Sequence, residues 1–189
     1  MSVLSLRALN RATLARQLLL ERHTLPVTDA VHRLGGLQAQ EPKHPFVGLW
    51  TRLDGFRAEE LHDALGAAAI VRGTLMRGTL HLARTDDHAA LWPALAAMLA
   101  KSAERFSDQL GGVAAAEVLA AGRDLLADGP RTFGDLRTAL QERLPDSHDR
   151  ALGYVVRTGL PLAMEPTDAR WGVCGRLAVR AGRSATARS

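Results

Sequence analysis

The chain has 189 residues, 47% of them apolar and 23% charged, enough to bury a core in one ordinary domain or two small ones. Its one cysteine, Cys174, excludes an internal disulfide and a Cys-based zinc site; the longest uncharged stretch, residues 88–100 with Pro93 inside it, is too short to span a bilayer. The net charge of +4 is uneven: residues 1–84 hold 11 Lys/Arg against 7 Asp/Glu, residues 85–169 hold 8 against 13, and the last twenty hold 5 Arg and no acid.

Asn10 is an N-cap candidate for a helix over residues 11–22, with Leu14 and Leu18 at i, i+4. Thr28 caps a second helix, which places Ala30, Val31 and Leu34 on one face and ends at Gly35-Gly36. A third begins with Pro45 at N1 and repeats Phe46, Leu49, Trp50 and Leu53, and a fourth fits residues 58–66. The segment from Ile70 to Leu82 changes character. Its Val, Thr and Leu with interspersed glycines predict a hairpin, with Met76, Leu80 and Leu82 on one face and Arg77, Thr79 and His81 on the other.

Thr85-Asp86-Asp87 caps a long apolar-periodic stretch that Pro93 kinks or interrupts, and Gly111-Gly112 marks a boundary. The plan then repeats, with a helix near 113–127, a turn at Asp128-Gly129-Pro130, and a helix capped by Thr132 that ends near Leu144-Pro145. The next helix runs from Asp146 or Ser147 to Gly159, followed by strands at 160–164 and 170–173. On that helix Arg150, Tyr154 and Arg157 form one stripe and Ala151, Leu152, Val155 and Val156 the opposite one. Helices followed by a short hairpin, twice over, give a mainly α protein with small β-hairpins (α+β), built as tandem winged-helix modules. The expected divisions are 1–84 with a Gln-x-Gln loop, a helical linker 85–112, a second module 113–175 and a disordered Arg/Ala tail 176–189. In a winged helix the Arg150, Tyr154, Arg157 stripe is where base edges and phosphates are met.

The seven histidines are scattered, and no His-Glu-x-x-His, nucleophile elbow or phosphate-cradling Gly-rich Lys loop occurs, so neither metal nor other cofactor is expected. One constellation remains, Gly35 to Pro45. Pro42 and Pro45 favour extended backbone before them, and in extended chain residues i and i+2 share a side. Gln38 and Gln40 then present two carboxamides roughly 6–7 Å apart at their Cα atoms, with Lys43 and His44 beside them as candidate DNA-binding residues. Taken alone, Gln-x-Gln is a weak signal and reads more readily as a solvated loop.

The pieces from Leu34 to Pro42 and from Arg72 to Leu82 resemble the AlkZ/YcaQ-type family, bacterial winged-helix DNA glycosylases that excise alkylated and crosslinked purines. The resemblance runs from about Ser5 to Gly175. It implies that Gln38 and Gln40 are catalytic, that Arg72, Arg77 and His81 contact the DNA backbone, and that the partner is damaged double-stranded DNA. It also implies a monomer acting in the bacterial cytoplasm at the nucleoid, not at a membrane. The start Met1-Ser2-Val3-Leu4 lacks the features of a signal peptide, which agrees. Family members are longer and continue into a further module, so a truncated and catalytically impaired gene product is expected. The alternative is a non-enzymatic winged-helix DNA-binding protein or transcriptional regulator.

Overall fold

The computed structural model describes residues 3–167, 170–172 and 178–181. In chain order these form α1 (Leu6–Arg16), α2 (Val27–Arg33), β1 (Leu37–Gln38), α3 (His44–Trp50), α4 (Ala58–Gly66), β2 (Ile70–Thr74) and β3 (Leu80–Arg84). They continue as α5 (Thr85–Ala103), a 3-10 segment Glu104–Leu110, α6 (Ala115–Ala127), β4 (Arg131–Thr132), α7 (Phe133–Arg143), α8 (Asp149–Gly159), β5 (Leu162–Met164) and β6 (Ala178–Ala181). The chain is therefore α+β. The order helix, strand, helix, helix, strand, strand occurs twice, at α2 to β3 and at α6 to β6.

All strands join one antiparallel sheet of order β1-β3-β2-β5-β6-β4. Each repeat contributes three neighbouring strands, and the two sets meet where β2 pairs with β5, Arg72 opposite Met164 and Gly73 opposite Ala163. Buried apolar side chains gather in two clusters. One includes Leu18, Val31, Leu49, Leu61 and Leu82, the other Val118, Leu136, Leu140, Leu152 and Val156. Burying each such side chain contributes about 1.5–3 kcal/mol, and each repeat has its own cluster. Trp171 ties the end of the second repeat to the first, edge-on to Phe46 at 5.3 Å between ring centres.

Local chemistry sets the element ends. The Thr132 hydroxyl accepts from the Asp135 amide at 3.1 Å and starts α7. Glu59 and Glu60 sit at the positive end of α4, whose Leu61 and Leu65 are buried at i, i+4. At α1 the hydroxyl of Ser5, not Asn10, makes the cap, accepting from the Ala8 amide at 3.2 Å. The helix then ends before Leu18, which takes φ +55° and enters the first cluster alone, so Leu14 and Leu18 share no helical face. Pro93 does not break α5. Both Pro93 and Ala89 are exposed, so water can take the carbonyl that the proline leaves without a donor.

Two expectations are corrected at the end of the chain. Residues 178–181, inside the tail expected to be disordered, form β6, filling the edge between β5 and β4. The strand expected at 170–173 is a turn at Arg170 and Trp171 followed by Gly172 at φ +64°, because Trp171 is drawn onto Phe46. Val173, Cys174 and the rest of that tail lie outside the described residues.

Candidate active site

The loop that carries the glutamines is held by backbone geometry before any side chain acts. Gly36 has φ +102°, and a Cβ there would stand 2.9 Å from the Leu82 carbonyl oxygen, so only glycine lets the chain run this close beside β3. β1 then pairs with β3, Leu37 opposite Leu82 and Gln38 opposite His81, and the Ala39 amide donates to the Leu80 carbonyl at 2.7 Å. Ala39 is fully buried while Gln38 and Gln40 are exposed, the alternation expected of extended chain. Gln40 Oε1 accepts from the Leu80 amide at 3.4 Å, so its carboxamide adds a rung to the β1–β3 ladder. The chain is extended only this far. The His44 amide donates to the Glu41 carbonyl at 3.0 Å, closing a turn with Pro42 in its second position.

Beneath the loop lies Arg72, 3% exposed. Its Nε and Nη2 donate to the Ala39 carbonyl at 3.0 and 2.9 Å, Nη2 reaches the Gln40 carbonyl at 3.4 Å, and Nη1 lies 3.2 Å from Met164 Sδ. The guanidinium thus fixes the main chain on both sides of the Ala39–Gln40 peptide. Arg72 is not the exposed DNA contact that the family resemblance implies: β2 is flanked by β3 and β5, and the Arg72 side chain turns under β1.

His81 is also buried, at 6% exposure, since β3 runs between β1 and β2 with α2 and α5 against it. The two-faced hairpin pattern therefore fails at this strand. Gln38, His81, Gly73 and Ala163 form one row across the sheet, so Gln38 and His81 stand side by side. His81 Nδ1 bonds the Thr79 carbonyl at 3.0 Å and so carries the proton. Burial lowers its pKa below 6.5; the Thr79 bond partly opposes this and Arg77 adds to it.

His88, which the sequence did not single out, presses on the same row from α5. A Cβ on Gly73 would lie 2.6 Å from His88 Nε2 and 2.8 Å from the Leu162 carbonyl oxygen. That nitrogen is buried without a hydrogen-bond partner, and the ring stacks on Trp92 at 6.3 Å. Burial lowers the pKa of His88 as well. Both rings are thus neutral when folded but take up protons near pH 6.5 when unfolded. Stability is full above that pH and falls as pH drops toward the folded values. The expected result is a lower urea midpoint at about pH 5.5 than at about pH 7.5; equal midpoints would contradict it.

Of the other residues expected at DNA, Lys43, His44 and Arg77 are exposed near the loop, and Arg150 is exposed on α8. Tyr154 and Arg157 are half-buried, because α5 and Glu104–Leu110 pack on α8. The stripe on α8 is therefore divided, with Arg150 free and the other two drawn into a helical contact. Among the described residues no three His, Cys, Asp or Glu side chains come together as a metal site.

The arrangement offers two carboxamides on a rigid surface loop with a neutral imidazole beside one of them. Carboxamides accept and donate hydrogen bonds but transfer no proton near neutral pH. They suit a reaction in which a water must be aimed at a centre that is already activated.

A family model described as DNA glycosylase AlkZ-like matches residues 31–187. Among solved structures, the chain is similar to Streptomyces sahachiroi DNA glycosylase AlkZ, with TM-score 0.66 and 21% identity over 92% of this chain and 48% of that one. The chain thus spans about half the length of that protein, and the likeness at this identity is one of fold. No curated protein matches the chain.

Proposed function

The chain belongs to the AlkZ-like DNA glycosylase family, and on that footing we propose that it hydrolyses the N-glycosidic bond of N7-alkylated purines in duplex DNA, with Gln38 and Gln40 at the reacting sugar. The repeated helix–strand–helix–helix–strand–strand units are then tandem winged-helix modules, and the protein works as a monomer on chromosomal DNA in the bacterial cytoplasm.

The observation that carries this is the Gln38-Ala39-Gln40 loop itself. Its middle residue is buried, its two carboxamides face outward, and its main chain is held by Arg72. An N7-alkylpurine carries a positive charge. As the bond to C1′ breaks, the electron pair moves into the base and neutralises it, so no general acid is needed at the leaving group. Water forms the new C–O bond and releases a proton to solvent, leaving a free base and an abasic sugar. Gln40, oriented by its contact with the Leu80 amide, keeps a second lone pair on Oε1 to accept a hydrogen from that water. The Gln38 side chain has no hydrogen-bond partner among the described residues and is free to turn to the water or the sugar. The nucleophile in this reading is water rather than a lysine amine, so the reaction stops at base removal.

Lys43, His44 and Arg77, exposed around the loop, and Arg150 on α8 supply phosphate contacts. The test is the appearance of alkali-labile sites in a methylated plasmid incubated with the chain. A regulator of the same fold binds the plasmid and produces none, and that outcome would overturn the proposal.

A further inference from the structure

Two arginines without carboxylate partners converge on one tyrosine close to Gln40. The Tyr154 ring lies against Phe106, with centres 4.7 Å apart, and its hydroxyl is 3.2 Å from Ser102 Oγ. The guanidinium carbon of Arg105 stands 4.7 Å from the Tyr154 ring centre and that of Arg157 5.1 Å from it; Arg105 also lies over Phe106 at 4.9 Å. Arg77 is exposed at the tip of the β2–β3 hairpin. The next residue, Gly78, approaches the same ring, since a Cβ on it would sit 3.6 Å from the Tyr154 hydroxyl. None of Arg77, Arg105 and Arg157 has an ion-pair partner among the described residues.

Like charges held on one ring repel, and stacking strips part of their hydration while leaving guanidinium edges for hydrogen bonding. The buried Nε of Arg157 has no hydrogen-bond partner, so no internal acceptor offsets its charge. An anion with several acceptor oxygens satisfies such a pair and relieves the repulsion. The place also fits. Gln40 Oε1 touches the Leu80 amide, and Gly78 is two residues away, about 6–7 Å along the chain. At about 3.4 Å per nucleotide, the Gly78–Leu80 span is about two steps of a DNA strand, and the tyrosine with its arginines lies beyond it.

We infer that Arg105, Arg157 and Tyr154, with Arg77 at the hairpin tip, form a phosphate-binding site that grips the DNA backbone a few nucleotides from the base held at the glutamines. The inference rests on the proposed action on DNA. Arg105 is the new member, hidden in the sequence because it lies in the acidic segment 85–169.

The test is fluorescence anisotropy of a labelled undamaged duplex, titrated over a series of KCl concentrations. Arg105 is exposed, so Arg105→Ala is the variant least burdened by folding, and its unfolding midpoint is measured alongside. The expected result is a several-fold weaker Kd and a salt slope that falls by about one for each phosphate no longer gripped, in Arg105→Ala and further in Arg105→Ala/Arg157→Ala. Arg143→Ala removes an equal charge from α7, where Arg143 pairs with Asp124 at 3.9 Å, and leaves the slope unchanged. Wild-type affinity and slope in Arg105→Ala would overturn the inference. So would stabilisation by inorganic phosphate that the double variant loses while its DNA affinity stays intact, since the site would then serve a free anion. Impaired binding in Arg105→Ala with no base release by the wild type removes the glycosylase proposal and leaves the phosphate site standing. Base release with unaltered binding does the reverse.

Discussion

Gln38→Ala/Gln40→Ala is expected to lower release of N7-methylguanine from alkylated duplex DNA by at least about 100-fold while changing duplex affinity by no more than about twofold. The reason is geometric. Both side chains are exposed, and among the described residues the Gln40 carboxamide alone of the two makes a hydrogen bond, the long contact to the Leu80 amide. Losing that one bond costs the fold on the order of 1 kcal/mol, too little to unfold a domain. The loop stays in place through Ala39 and Arg72, so what disappears is the aim of the water. Single-turnover kinetics with enzyme in excess, beside anisotropy with the same duplex, separate the two effects. Equal release by the double variant and the wild type would remove the glutamines from the reaction.

Arg72→Ala is expected to do more damage and of a different kind. It deletes a buried guanidinium that holds the carbonyls of Ala39 and Gln40 and meets Met164 across the β2–β5 seam. Carbonyls left without their donor and the space left by the side chain together cost about 2–4 kcal/mol of stability. The loop then moves, and a displacement near 1 Å at a positioned group is enough for about a 100-fold loss of rate. Arg72→Lys separates positioning from folding. It keeps the charge but loses the planar fork that spans two nitrogens to one carbonyl. At a temperature where circular dichroism shows it folded, it should bind duplex DNA with wild-type KM and show a kcat lowered about tenfold or more. A kcat at the wild-type level in the folded Lys variant would show that Arg72 only supports the sheet.

Much of the fold is legible in the sequence because the signals are local. The helix expected at residues 58–66 forms there, its ends set by an acidic first turn and its buried face by leucines at i, i+4, and the Thr132 cap is where its residue type puts it. The β2–β3 hairpin and the repetition of the plan are legible for the same reason. What escapes is set by tertiary contact. β1 is two residues long, and its partner β3 is more than forty residues on, so no periodicity marks it as a strand. Ser5 and Asn10 are both capping types, and only the burial of Leu18 decides between them. Residues 178–181 read as part of a disordered Arg/Ala tail, because the edges that make them a strand come from β5 and β4.

The candidate site divides in the same way. The outward pair Gln38 and Gln40 follows from extended backbone, because Ala39 alternates with them. From the sequence, Arg72 and His81 are DNA contacts implied by the family resemblance, which requires them to be exposed. Here the hairpin is an inner part of a shared sheet, which turns Arg72 onto the loop and leaves His81 a neutral neighbour of Gln38. Arg105 and His88 carry no motif at all. Their surroundings come from α5 and the following 3-10 segment packing on α8 and β2.

The most direct test of the account is chromatographic detection of free N7-methylguanine after incubating the wild-type chain, in excess, with a methylated duplex. Release faster than spontaneous depurination, leaving one abasic site per base freed, is the expected result. Release at the spontaneous rate from a duplex that anisotropy shows to be fully bound would contradict the assignment of glycosylase activity to the Gln38-Ala39-Gln40 loop.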